Sequence, residues 1–170
     1  MPAGVFEIGE NGRAGAIALV DDEATRRAGA ALGLALSPGD AVMLAGGLGA
    51  GKTALARAAI AARLAAAGRR AEEIPSPTFT LVQIYQADAL IWHADLYRIS
   101  TEWEAYELGL DEAFDQAIAF VEWPERLGAF RPARRLEIAL SIPADGGRRL
   151  DWRCVGEGWE RVAAALGGGA

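Results

Sequence analysis

A chain of 170 residues can bury one substantial core without disulfides or a metal staple. A single His and a single Cys exclude a zinc cluster built on several such ligands and exclude an intramolecular disulfide. A net charge of -6 argues against autonomous, charge-driven binding to nucleic acid while leaving room for a local basic patch, and of the 17 basic residues only Lys52 is Lys.

In chain order, residues 1–15 are rich in Gly and polar groups, with fraying expected over 1–4 and a short edge strand offered by Val5, Phe6 and Ile8. Ile17 to Val20 reads as a strand. Asp21 and Asp22 offer N-cap chemistry to a helix from Glu23 to Leu36, which Ser37-Pro38-Gly39-Asp40 ends as a turn. Ala41 to Ala45 is wholly apolar, the pattern of a strand buried on both faces. Gly46 to Gly51 breaks it, and an Ala-rich helix runs from Lys52 to a Gly68 C-cap.

Thr80 to Tyr85 and Leu90 to Ala94 form an expected hairpin. Glu102 to Leu108 and Asp111 to Phe114 read as short helices, Ala117 to Val121 as a second buried strand, and Pro124 as the first residue of a helix. Leu136 to Ile142 and Leu150 to Val155 make a C-terminal hairpin, followed by a helix from Trp159 to Leu166 and a Gly-rich end, 167–170, expected to fray. No basic-plus-apolar leader opens the sequence and no apolar run approaches the ~18 residues of a membrane span, so a soluble cytoplasmic protein is expected. With no long linker and no repeat, residues 1–170 read as a single domain.

Gly46-Gly47-Leu48-Gly49-Ala50-Gly51-Lys52-Thr53 fits G-x-x-x-x-G-K-[ST], between a buried strand and a helix as that phosphate-binding pattern requires. Its glycines let successive N–H groups point into one concavity, and the helix N-terminus adds partial positive charge. Lys52 would reach the β- and γ-phosphates of a nucleotide, and Thr53 would give its hydroxyl to Mg2+. A guanidinium would not fit that narrow cradle, which is where the only Lys stands. The P-loop NTPase reading implies a three-layer α/β fold with a central mixed, largely parallel sheet.

Such a site needs an acidic residue at the end of a neighbouring strand. Ala117 to Val121 ends on Glu122, the expected metal or water residue. On an extended strand His93, Asp95 and Tyr97 share one face, with Asp95 the better active-site acid. A lone His is more often a structural residue than a base. Arg98 reads as an arginine finger, a partner contact or an ion-pair donor. In Ser76-Pro77-Thr78-Phe79-Thr80, Thr78 or Thr80 is placed to sense a γ-phosphate, unless the segment is a plain turn.

Taken together, Gly-Gly-Leu-Gly-Ala-Gly-Lys-Thr at 46–53, Ser-Pro-Thr-Phe-Thr-Leu-Val at 76–82, His-Ala-Asp-Leu-Tyr-Arg at 93–98 and Val-Glu-Trp-Pro-Glu at 121–125 resemble the TsaE (YjeE) family. Glu23-Ala24-Thr25 is similar to that family's Glu-x-Thr near the nucleotide base, which places Thr25 there, and Trp123 is placed by the same resemblance near the nucleotide. The resemblance implies Mg-ATP binding and slow ATP hydrolysis. It also implies work alongside the TsaD–TsaB pair, which transfers a threonylcarbamoyl group to the adenosine beside the anticodon, so that tRNA is met only through that complex. Gly47 stands where the family usually has Asp, and Ala54 where a second Thr is common. The competing readings are a small-molecule P-loop kinase, for which Arg131, Arg134 and Arg135 leave little lid, and a nucleotide-gated interaction module without significant turnover.

Overall fold

The computed structural model describes residues 13–70 and 74–168. The strand expected from Val5, Phe6 and Ile8 lies outside the described residues, as do 1–4 and 169–170 of the expected frayed ends. Gly167 is the last residue of a helix.

Seven described strands form one sheet: β1 (Ala14–Leu19), β2 (Ala41–Gly46), β3 (Val82–Gln86), β4 (Leu90–Asp95), β5 (Ile118–Glu122), β6 (Arg135–Ser141) and β7 (Arg148–Val155). Their spatial order is β1-β7-β6-β2-β5-β4-β3. The inner four, β6, β2, β5 and β4, run parallel, whereas β7 lies antiparallel on β6, β1 on β7 and β3 on β4. This is the mixed, centrally parallel sheet with a C-terminal antiparallel hairpin that the sequence implies.

The helices are α1 (Asp22–Ala35), α2 (Lys52–Ala66), α3 (Glu102–Glu107), α4 (Leu110–Gln116) and α5 (Glu160–Gly167). Strand alternation divides the core between the two sheet faces. Val42 and Leu44 of β2 join Ile118, Phe120, Ile138 and Leu140 against α1, α2 and α5. Ala41 and Met43 join Ala94, Val121, Ala105 and Leu110 on the side of α3 and α4. A strand covered on both faces has no polar side to show, which is why β2 reads as an unbroken apolar run. Among the described residues, no helix is long and apolar enough to cross a membrane.

Caps set the helix ends. Asp21 Oδ1 accepts the Ala24 N–H at 2.7 Å and Thr101 Oγ1 accepts the Glu104 N–H at 3.2 Å, so the first free amides of α1 and α3 are satisfied within the chain. By contrast α2 begins after Gly51 with no side-chain cap, leaving its first N–H groups without a side-chain acceptor.

Some boundaries differ from the sequence reading. The first strand starts at Ala14, not Ile17, because its ladder with β7 sets its length and places Gly15 beside Trp152. The strand expected from Thr80 starts at Val82. Pro77 to Thr80 is instead a turn closed by the Leu81 N–H on the Pro77 carbonyl at 2.7 Å, with Leu81 at φ 65. Pro124 is the first residue of a helix as expected, a 3₁₀ segment over Pro124–Phe130.

The α1–α2 contact is made through small residues. A Cβ on Gly33 would stand 2.2 Å from the Ala59 carbonyl oxygen, so the two backbones touch there. In an open helix Gly→Ala gains up to about 1 kcal/mol from propensity, but overlap with backbone costs about 1–3 kcal/mol. Gly33→Ala is therefore expected to lower the urea midpoint; an increase would show that the helices can separate without loss.

Candidate active site

Three parallel strands end side by side at the same edge of the sheet, the usual position of a ligand crevice in an open α/β sheet. β2 ends at Gly46, β5 at Glu122 and β4 at Asp95, with Leu44 in register with Glu122 and Glu122 with Asp95. Main-chain bonds lock this edge: the Trp123 N–H donates to Leu44 O at 3.2 Å and the Leu96 N–H to Glu122 O at 3.1 Å. The glycine loop continues from β2 and delivers Lys52 and Thr53 over it. Gly51 makes the last turn at φ 106, a conformation that a Cβ would strain, with the Arg148 side chain packed against its Cα.

Thr53 Oγ1 lies 2.8 and 2.9 Å from the two Glu122 oxygens. On its other side Glu122 Oε1 meets His93 Nε2 at 2.8 Å. The strand period explains the grouping, since Ile118, Phe120 and Glu122 share the α2 face, as do Ile91, His93 and Asp95. Glu122 is 2% exposed and His93 0%, so the carboxylate is a buried acceptor held between a hydroxyl and an imidazole. The remaining ring nitrogen, His93 Nδ1, is buried without a hydrogen-bond partner.

Lys52 Nζ donates to the carbonyls of Gly46 and Gly47, each at 2.7 Å, and lies 4.1 Å from the centre of the Trp123 ring. Burial pulls its ammonium below the usual lysine range, opposed by the nearby carboxylates of Glu122, Asp95 and Glu125. Trp123 takes a left-handed backbone at φ 58, uncommon for a bulky residue, and its ring packs on Tyr97 with centroids 4.8 Å apart. Strain of this kind gathers where a site requires it.

Asp95 Oδ2 accepts the Thr78 hydroxyl at 3.1 Å and Oδ1 accepts the Tyr97 N–H at 3.0 Å. Thr78 in turn meets Ser76 Oγ at 2.7 Å. The Ser-Pro-Thr segment is thus tied to the strand carrying Asp95. That strand ends at Asp95, and so Tyr97 is not on its face; the Asp95 side chain turns the chain and Tyr97 reaches the site from beyond the strand end.

A cavity of about 330 Å³ opens here, lined by Leu48, Gly49, Gly51, Lys52, Thr53, Ala54, Thr78, Asp95, Tyr97, Arg98, Glu122 and Trp123. Gly47 contributes its carbonyl to Lys52, and Ala50 is buried beneath the loop. Besides Gly47 and Ala50, two further expected residues do not line the cavity. Thr80 is exposed and accepts from Gln83 Nε2 at 2.9 Å, while Thr25 is buried in the first turn of α1 against the Asp21 carbonyl at 3.4 Å. Arg98 stands at the rim with its guanidinium 4.6 Å from the Phe79 ring. Sequence reasoning missed Arg148, which only the long-range pairing of β7 brings to the glycine loop. Cys154 is no nucleophile here, since burial pushes its thiol up to about 11.

The donor set is oxygen-only and anionic: the Thr53 hydroxyl and the carboxylates of Glu122 and Asp95. Among the described residues no three His, Cys, Asp or Glu side chains converge as a metal cage. Such a set suits Mg2+, which takes few protein ligands and shares its sphere with water and phosphate oxygens. Two buried carboxylates beside one lysine would repel a polyphosphate arriving without a divalent cation.

A family model described as "Threonylcarbamoyl adenosine biosynthesis protein TsaE" matches residues 19–150. The chain is similar to the tRNA threonylcarbamoyladenosine biosynthesis protein TsaE of Treponema pallidum, 34% identical over 127 residues that cover 74% of this chain and 90% of that one. It is similar also to the protein of the same name from Bacillus subtilis, 34% identical over 131 residues, 76% of this chain and 78% of that one. Among solved structures, the crystal structure of Bacillus subtilis YdiB matches with a TM-score of 0.72 and 28% identity, over 94% of this chain and 97% of that one.

Proposed function

Because the chain belongs to the TsaE family, and so takes part in tRNA threonylcarbamoyladenosine biosynthesis, we propose that it does so as an ATPase, binding and slowly hydrolysing Mg-ATP. The observation that carries this reading is the Thr53 hydroxyl on the Glu122 carboxylate directly below the glycine loop and Lys52. That is the pairing of phosphate-loop hydroxyl and strand-end acid from which P-loop NTPases build a metal-nucleotide site. It sits in a cavity with room for the phosphates.

Thr53, with Glu122 directly or through water, would hold Mg2+, which when bound neutralises phosphate charge. The chain's own residues do the rest. The uncapped amides of α2 and those of the loop from Gly47 to Lys52 donate their N–H groups to the phosphate oxygens. Lys52 leaves the Gly46 and Gly47 carbonyls for the phosphates and carries its charge there. His93 Nε2 holds the Glu122 carboxylate in place from below, and Asp95 ties Thr78 to the same edge. Trp123 and Tyr97 wall the cavity and limit water.

The partners in this proposal are TsaD and TsaB, with tRNA met only through them, since a chain of net charge -6 is a poor ligand for a polyanion alone. Reconstitution tests it. With the TsaD–TsaB pair, tRNA and a source of threonylcarbamoyl adenylate, repeated rounds of modification are expected to need this chain and ATP, and the pair is expected to raise ATP turnover. Full-rate hydrolysis by the isolated chain, unchanged by the pair, would defeat the partner-dependent reading.

A further inference from the structure

Away from the cavity, α3 and the 3₁₀ segment carry three large rings that the fold leaves in solvent. Trp103 is 60% exposed, Tyr106 41% and Phe130 37%. Trp103 stacks on Tyr106 with centroids 5.1 Å apart, and Phe130 packs tilted against both, at 4.9 Å from Tyr106 and 6.5 Å from Trp103. Mutual packing holds the rings in place before any ligand arrives, so little side-chain freedom remains to be lost on binding. Clusters of Trp and Tyr are the commonest anchors of protein interfaces.

The charge on α3 and α4 is of one sign, while Arg126 and Arg131 lie on the 3₁₀ side of the rings. Between Ile99 and Glu125 the chain has no Lys, Arg or His, whereas Glu102, Glu104, Glu107, Asp111, Glu112 and Asp115 are all exposed. Aromatic faces attract cations, and the carboxylates add a long-range field of the same preference. Nucleic acid is disfavoured by that field, and so is the same face of a second copy. We propose that the Trp103–Tyr106–Phe130 face docks a protein partner whose contacting surface is basic, presenting Arg and Lys to the rings and the surrounding carboxylates.

The position gives this contact a route to the site. The 3₁₀ segment leaves β5 directly after Glu122 and Trp123, and Phe130 stands at its far end. Glu102 of α3 accepts the Ala129 N–H at 3.2 Å, so α3 and this segment move together. A partner seated on the rings therefore grips the chain that carries Glu122 and Trp123.

The inference rests on the partner reading above, and the TsaD–TsaB pair is the probe. Binding of the pair to the ATP-loaded chain is measured by calorimetry for the unaltered protein, Trp103→Ala, Glu107→Lys and Glu107→Gln. Trp103→Ala and Glu107→Lys are each expected to weaken binding at least tenfold and Glu107→Gln less, with ATP affinity unchanged and binding weakened by added salt. Glu107 is exposed on α3, so its variants decide the matter if Trp103→Ala fails to fold. Wild-type affinity in the Trp103 and Glu107 variants, or tighter binding by Glu107→Lys, overturns the docking surface while leaving the partner reading intact. No binding by the unaltered chain overturns the partner reading and the surface with it. Loss in Trp103→Ala of a tRNA complex or of self-association shown by the isolated chain would assign the face to that occupant and overturn the proposal.

Discussion

Glu122→Gln is expected to leave ATP bound with an affinity near that of the unaltered chain and to cut its hydrolysis by roughly a hundredfold or more, the scale of losing a positioned acid-base or electrostatic group. The amide keeps the shape and can still bond Thr53, but it loses the charge that Thr53 and His93 converge on. Glu122→Ala is a harsher test of the same point. It leaves a buried imidazole and a hydroxyl without their acceptor, a cost of about 1–3 kcal/mol in stability, so its lost activity mixes two causes. The deciding measurement is single-turnover hydrolysis at saturating ATP beside a binding isotherm. Equal hydrolysis in the Gln variant would remove Glu122 from the chemistry and leave it a structural clamp.

What the sequence disclosed and what it withheld divide along the range of the interactions. The strand–loop–helix unit from Ala41 to Ala66 is written in consecutive residues: an apolar run, glycines that permit φ 106 at Gly51, then helix formers. Glu122 was legible for the same reason, as a carboxylate ending an apolar strand. The short helices and the C-terminal hairpin also follow from local caps and turns, within a few residues. Thr80 and Tyr97 were harder, because the turn after Pro77 and the Asp95–Tyr97 bond shift the ends of β3 and β4 and so change which side chains face the crevice. Periodicity extrapolates a strand past its last ladder bond and cannot see where that bond is lost.

Other relations lie beyond any local pattern. That His93 ends under Glu122 requires β4 to pair with β5 in parallel, across 29 residues, and that Arg148 packs on Gly51 requires β7 to return beside β6. A lone His on a strand gives no sign of its partner. Its burial at 0% with Nδ1 unpaired separates it from an ordinary core histidine. In the proposed function it is the group that orients the acid.

Lys52→Ala is expected to keep the fold and to weaken ATP binding by about a hundredfold, since charge-assisted bonds to two phosphates are each worth about 1.5–3 kcal/mol and tenfold in affinity is 1.4 kcal/mol. The fold should survive because Lys52 is the first residue of α2 and its truncation leaves the buried apolar face of that helix, Leu55, Ala59 and Ile60, in place. Its Nζ rests on two loop carbonyls, and burial already disfavours its charge. Water can take over at Gly47, which is exposed, so the thermal midpoint should move little. Lys52→Arg is the sharper comparison. Elsewhere this chain uses Arg wherever a fork is needed, as where Arg63 Nε and Nη2 meet the two oxygens of Asp88 at 2.7 and 2.8 Å. At the loop the cation must lie within reach of the Gly46 and Gly47 carbonyls and 4.1 Å from the Trp123 ring, a slot suited to a compact ammonium. Arg is therefore expected to restore the charge without restoring affinity. An Arg variant that binds ATP within threefold of the unaltered chain would mean that charge alone decides, and that the one lysine among 17 basic residues is there by composition and not by fit.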